Sequence, residues 1–215
     1  MKQNNTAKKG IIVVGITGGI GSGKSEIVKY LKAYPEIAVC DADEVAKKLQ
    51  KKGEKCYFEM VDTFGNEILN IDGEINRESV AKIVFEDRKR LAMLNKIVHP
   101  VVKQEIQALI LEEEKKGKKL FFMEVQLLIE DHYEQMCDTT WYIYADISTR
   151  INRLMESRNY TKEKIESIMR LQNNEETFRA FCDTVIDNSG HFEKTKEYID
   201  LEVAKLAKRE ETGDK

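Results

Sequence analysis

Gly18-Gly19-Ile20-Gly21-Ser22-Gly23-Lys24-Ser25 is the stretch that decides how this chain folds. It fits the pattern of Gly, four residues, Gly, Lys, then Ser or Thr. It also stands in the context that pattern requires, after an apolar run Ile11–Ile16 and before an amphipathic stretch Glu26–Ala33. Glycines let successive backbone N–H groups turn inward without Cβ clashes, so the loop becomes a concave anion site at a helix N-terminus. Lys24 can then neutralise β- and γ-phosphate oxygens, and the Ser25 hydroxyl can ligate Mg²⁺. The bland alternative is a glycine-rich turn with a chance Lys-Ser. The strand before it and the helix after it favour the phosphate loop.

Outward from the loop, further short apolar runs rich in β-branched or aromatic residues occur at Ile37–Cys40, Leu120–Met123, Trp141–Ala145 and Thr184–Ile186. Continuous apolar runs bounded by charged helices read as strands buried on both faces, which predicts an α/β fold with a parallel sheet of about five strands. Helical periodicity is read over Val80–Phe85, Arg90–Val98, Val102–Glu114 and Lys162–Gln172. His99-Pro100 falls between two of these, as a helix boundary with Pro100 in the first turn of the next helix. No core strand is read between Asp43 and Lys119, so a mostly helical insertion is expected there, with turns at Phe64-Gly65 and Asp72-Gly73. A second insertion carries Arg150, Arg153, Arg158 and Arg170 on a charged helical segment. The expected divisions are a single domain over 10–190. Its core comprises 10–43, 119–147 and 177–205, with insertions at 44–118 and 148–176. Flexible termini are expected at 1–9 and 206–215.

Lys and Arg number 35 against 38 Asp and Glu, a net charge of −3, so the chain lacks the basic field that non-specific nucleic-acid binding requires. The apolar run Ile11–Ile16 is too short for a membrane span and lacks the layout of a signal peptide. Neither a nucleic acid nor a membrane is expected as a partner. Cys40, Cys56, Cys137 and Cys182 are scattered without zinc or redox spacing, and they read as reduced thiols in a cytoplasmic protein.

Asp41-Ala42-Asp43 follows directly on the second strand, which puts both carboxylates at the C-terminal edge of the sheet, where open parallel sheets bind ligands. There a carboxylate can accept the proton of an attacking hydroxyl or help hold Mg²⁺. An N-cap is the competing reading, since Asp43 precedes the helical stretch Glu44–Lys52.

These residues together resemble a family. Thr17 through Ser25 followed by Asp41-Ala42-Asp43 is similar to the opening of dephospho-coenzyme A kinases. The series continues through Phe64-Gly65, Asp72-Gly73 with Arg77, Val84-Phe85 and Ile97-Val98-His99-Pro100. It ends with Leu127-Leu128 and Glu130, Arg153-Leu154 with Arg158, Gln172, Asp183, and Val185 to Gly190. The resemblance spans about Ile11 to Gly190. It implies a three-layer P-loop NTPase core, a helical substrate-binding insertion for the coenzyme portion, and an Arg-bearing lid over 148–176. It further implies use of ATP and Mg²⁺ to phosphorylate the ribose 3′-hydroxyl of dephospho-CoA, the last step of coenzyme A biosynthesis.

By the same resemblance, Asp43 is the base, with Lys24 and Arg153 catalytic beside it. Gly19, Gly21, Ser22, Gly23, Lys24, Ser25, Glu26, Arg158 and Asn188 face the nucleotide, with Ser25 on the metal. Thr17, Asp41, Asp43, His99 and Leu127 lie toward the acceptor. A lone His before Pro reads more often as a helix-boundary residue satisfied by a local hydrogen bond than as a catalyst. The Arg cluster without this context reads as a solvated face paired with Glu156, Glu163 and Glu166. Four places depart from the family pattern: Glu26 where Thr is usual, Glu124-Val125-Gln126 where Asp, an aliphatic residue and Pro are usual, Arg150 in place of Gln, and Ile168 in place of a basic residue. Two alternatives stay open: a kinase of another nucleotide-like acceptor, and a nucleotide-binding regulatory protein without transfer.

Overall fold

The computed structural model describes residues 10–212. In chain order the elements are β1 (Ile12–Thr17), α1 (Lys24–Leu31), β2 (Ile37–Asp41), α2 (Ala42–Leu49), α3 (Tyr57–Phe64), α4 (Arg77–Glu86), α5 (Arg88–Lys115), β3 (Leu120–Glu124), β4 (Thr139–Tyr144), α6 (Ile147–Arg158), α7 (Lys162–Arg170), α8 (Glu175–Phe181), β5 (Thr184–Asp187) and α9 (Phe192–Thr212). All five expected strands form. Asp41–Leu109 makes one compact unit and the rest of the described chain another.

The larger unit is built on one sheet with strand order β2-β3-β1-β4-β5. β1 pairs in parallel with β3 (Val14 beside Phe122) and with β4 (Ile16 beside Trp141), and β4 pairs in parallel with β5. Side chains alternate across a strand, so the even-numbered residues of β1 share a face. There Val14 and Ile16 join Phe122, Trp141, Ile143 and Ile186, and the layer is closed by Ile27 and Leu31 of α1 and Ile199 and Val203 of α9. On the opposite face, Tyr142 stacks on Phe178 of α8 with ring centroids 4.7 Å apart. Helices on both faces make three layers, and β1 is buried along nearly its whole length because it is the central strand. The C-terminal ends of β1, β3, β4 and β5 therefore reach one edge.

The unit Asp41–Leu109 is helical. Its non-helical part includes a tight turn, closed by an isolated bridge between Leu69 and Ile75, with Gly73 at φ 81° where Asp72-Gly73 signals a turn. The Tyr57 hydroxyl donates to the Gly73 carbonyl at 2.7 Å, and Lys55 pairs with Glu105 at 2.9 Å.

Two expectations change. His99-Pro100 does not divide two helices: α5 runs unbroken through Pro100. Val98, Val102 and Ile106, spaced by four, are all buried, and this continuous apolar stripe carries the helix past the missing N–H donor. The C-terminal tail expected from residue 206 is instead helical through Thr212, with Leu206 in the core beneath the sheet. Residues 1–9 lie outside the described part. None of the four cysteines is in a disulfide, and among the described residues no helix is long and apolar enough to cross a membrane.

Candidate active site

The loop joining β1 to α1 begins at the C-terminal edge of the central strand, so its backbone leaves the sheet where neighbouring strands also end. Gly23 is the N-cap of α1 with φ 90°, a left-handed conformation that L side chains rarely adopt. A Cβ there would lie 2.2 Å from Asn188 Nδ2. Only glycine fits. Lys24, 9% exposed, donates from Nζ to the carbonyls of Gly18 at 2.6 Å and Gly19 at 3.3 Å. Its ammonium is thus held over the loop that precedes it.

The loop's carbonyls at Ile20 and Ser22 are taken by side chains from distant elements. Ser22 O accepts from Asn188 Nδ2 at 2.9 Å and from Arg153 Nη1 at 3.4 Å, and Ile20 O accepts from Arg150 Nε at 2.8 Å. Arg153 also donates to the Asn188 carbonyl at 2.9 Å. α6 is set in place by Asp146, whose carboxylate accepts the Thr149 N–H at 2.8 Å while its own N–H donates to the Ser189 hydroxyl at 3.0 Å.

In front of the loop lies a cleft of about 680 Å³. Its walls are residues 20–26 of the loop and α1, Glu124 at the end of β3 and Gln126 just after it, and Arg153, Leu154, Glu156, Ser157 and Arg158 of α6. Ile168 and Gln172 complete it. Of the residues expected at the nucleotide, the structure brings Gly21, Ser22, Gly23, Lys24, Ser25, Glu26 and Arg158 to this cleft, together with Arg153, which was expected to be catalytic. Gly19 lies in the loop with a guanidinium behind it, since a Cβ would sit 2.3 Å from Arg150 Nη2.

Other expected positions are placed elsewhere. Thr17 is fully buried, and its hydroxyl donates to the Gln126 carbonyl at 3.3 Å. Asn188 is also fully buried, and all its polar groups are engaged: its N–H donates to Tyr144 O at 2.8 Å, its carbonyl takes Arg153, and its Oδ1 accepts from the Thr195 hydroxyl at 3.0 Å. Leu127 is exposed after β3. Asp41, Asp43 and His99 belong to the other compact unit. There the N-cap of α2 is Asp41 and not Asp43: the Asp41 carboxylate accepts the N–H groups of Asp43 at 2.9 Å and Glu44 at 3.2 Å. Helix α2 starts at Ala42, ahead of the expected stretch Glu44–Lys52, so Asp43 sits exposed in its first turn.

Glu156 and Ser157 were not among the expected site residues. Their signal is helical spacing, three and four residues after Arg153, which puts them on its face of α6. Glu26, Glu124, Gln126 and Ile168, four of the positions that depart from the family pattern, all line the cleft. Arg150, the fifth, stands behind it.

The sequence profile of a family described as dephospho-CoA kinase matches residues 12–194. A protein of that name from Carboxydothermus hydrogenoformans is 36% identical over 87% of this chain and 90% of its own. Another from Fusobacterium nucleatum is 38% identical over 85% of this chain and 92% of its own. Among solved structures, one from Thermus thermophilus superposes with a TM-score of 0.77 at 30% identity, over 92% of this chain and 98% of that one. A shikimate kinase from Acinetobacter baumannii, at TM-score 0.51 and 15% identity over 91% and 94%, shares the fold.

Proposed function

This chain belongs to the dephospho-CoA kinase family, and from that premise we propose that it transfers the γ-phosphoryl group of ATP to the ribose 3′-hydroxyl of dephospho-CoA in the cytoplasm, giving coenzyme A. The observation that carries the proposal is one cleft in which Lys24, Ser25, Arg153 and Arg158 open beside the glycine loop. Four groups that suit a triphosphate converge there from the N-terminus of α1 and from α6.

In this reading the Lys24 ammonium exchanges the Gly18 and Gly19 carbonyls for phosphate oxygens. The exposed Ser25 hydroxyl and the Glu124 carboxylate share the cleft, and this small oxygen donor set completed by phosphate oxygens fits Mg²⁺. Bound there, the ion would neutralise charge on the β- and γ-phosphates. Asp43 accepts the proton of the 3′-hydroxyl as its oxygen bonds to the γ-phosphorus, and the bridging P–O bond breaks to release ADP. Arg153 and Arg158, in the 148–176 segment assigned as the lid, offset the charge that moves onto the phosphoryl oxygens and help exclude water. Asp41, His99, Thr17 and Leu127 are proposed as contacts to the acceptor.

A second acceptor, another nucleotide-like alcohol, is favoured by one observation: Glu26, Glu124, Gln126 and Ile168 all face the cleft. The test is incubation of the protein with ATP, Mg²⁺ and dephospho-CoA, followed by mass spectrometry of both products. ADP and coenzyme A together, lost when Mg²⁺ is omitted, are expected. ADP without coenzyme A would move the assignment to the other acceptor. Neither product, with ATP still bound, would leave a nucleotide-binding protein without transfer.

A further inference from the structure

Arg150 and Gln172 grip a single residue of the phosphate loop, Gln172 from the cleft wall and Arg150 from outside the cleft lining. Arg150 Nε donates to the Ile20 carbonyl at 2.8 Å, and Gln172 Oε1 accepts the Ile20 N–H at 2.9 Å. The same amide oxygen accepts from Arg150 Nη2 at 3.4 Å, so the two side chains also brace each other. The guanidinium lies against Gly19 so closely that a Cβ there would fall 2.3 Å from it. Among the described residues no carboxylate pairs with Arg150.

The geometry of the peptide gives these bonds a consequence. In a planar trans peptide the carbonyl and the following N–H point in opposite directions, and this chain has no cis bonds among its described residues. Drawing the Ile20 carbonyl back toward Arg150 therefore turns the Gly21 N–H the other way, and Gly21 is part of the cleft wall. Holding the Ile20 N–H at Gln172 turns the Gly19 carbonyl the other way, toward Lys24, whose Nζ it accepts at 3.3 Å. One pair of side chains thus sets two successive peptide planes of the loop. Burial pushes the Arg150 pKa below that of an ordinary guanidinium, but so strong a base keeps its charge. A half-buried cation with no carboxylate is costly unless an anion comes near it.

We propose that Arg150 is a positioning residue for the nucleotide: with Gln172 it orients the two loop peptides between Gly19 and Gly21, centred on Ile20, and sets an uncompensated positive charge behind the triphosphate. The proposal rests on the kinase reading above. Arg150 reaches the triphosphate only through the loop, so it acts on phosphate geometry and not on the acceptor.

The test is calorimetric titration of Mg·ATP without acceptor, with steady-state kinetics and melting temperatures, on wild type, Arg150→Met, Arg150→Lys, Gln172→Leu and the Arg150→Met/Gln172→Leu pair. Expected for Arg150→Met is a rise of about tenfold in the ATP Kd and a fall of about tenfold in kcat, with acceptor KM little changed. Arg150→Lys should recover most of the affinity, since the charge remains, but not kcat, since an ammonium lacks the planar fork. The paired variant should be no worse than the worse single, because both act through Ile20. Wild-type ATP affinity and kcat in folded Arg150→Lys and Arg150→Met would overturn the proposal, as would additive losses in the pair. If Arg150→Met does not fold, wild-type kcat in Arg150→Lys alone overturns it. Absence of ATP binding by the wild type would instead sink the kinase reading.

Discussion

The side-chain amide of Asn188 donates to the carbonyl of Ser22 at 2.9 Å, joining the turn after β5 to the phosphate loop across 166 positions of sequence. Both partners are buried, and the Thr195 hydroxyl completes the arrangement by donating to Asn188 Oδ1 at 3.0 Å. Asn188→Ala would leave two buried polar groups without this partner. It should cost about 1–3 kcal/mol in denaturant unfolding and weaken ATP binding in the same protein. Unaltered stability would mean that water replaces the amide.

At Gly23 the same asparagine meets the backbone of the loop. Gly23→Ala would require a left-handed alanine, and its Cβ would collide with Asn188 Nδ2 at 2.2 Å. ATP affinity should fall by at least about tenfold, read by titration, since the loop must move to admit one methyl group. Retained affinity would show that Asn188 yields instead.

The two acidic residues after β2 separate by role. Asp41→Ala removes the cap that accepts from Asp43 and Glu44, and should destabilise by about 1 kcal/mol, whereas Asp41→Asn keeps an acceptor and should not. Asp43→Asn should leave stability and ATP binding near wild type while turnover drops by about 10²-fold or more, if its carboxylate is the base. Equal turnover in Asp43→Asn would remove it from that role.

Pro100 sits inside α5, where it can donate no hydrogen bond. Pro100→Ala restores the donor and should raise stability by about 1–3 kcal/mol in urea unfolding. A loss of stability would mean that the helix has a shape there which depends on proline.

Burial pushes the Cys137 thiol up to about 12 and the Cys182 thiol up to about 11. Cys137 packs its sulfur against Gly15 and donates to the Tyr133 carbonyl at 3.4 Å. An unfolded thiol ionises at about pH 8.5, so the native state holds more protons than the unfolded one above that pH. Stability from these thiols should be fully present below about pH 8.5 and should fall as the pH climbs toward about 11. Urea unfolding at roughly pH 7, 8, 9 and 10 reads this slope, which should be shallower in a Cys137→Ala/Cys182→Ala variant. Equal slopes in the two proteins would assign the decline to other groups.

The α/β class, the five strands and the phosphate loop were legible in the sequence because each depends on neighbours in the chain. A six-residue apolar run, a glycine-rich turn and a Lys-Ser pair carry their conformational preferences and chemistry with them wherever the chain places them. Helix α5 shows the limit of that kind of reading. Local stereochemistry argues for a break at Pro100, but burial of Val98, Val102 and Ile106 along one face outweighs it, and burial is a property of the folded molecule. The cap of α2 is a choice between two aspartates two residues apart, which is resolved by the start of the helix at Ala42 and the bonds that Asp41 accepts from Asp43 and Glu44. The same holds behind the phosphate loop. Nothing near Ile20 or Ser22 in sequence announces that Arg150, Gln172 and Asn188 will take up their backbone groups, since those partners come from 130, 152 and 166 positions away. The loop's chemistry belongs to its own eight residues, whereas the direction in which its peptides point is set by side chains that only tertiary packing brings there.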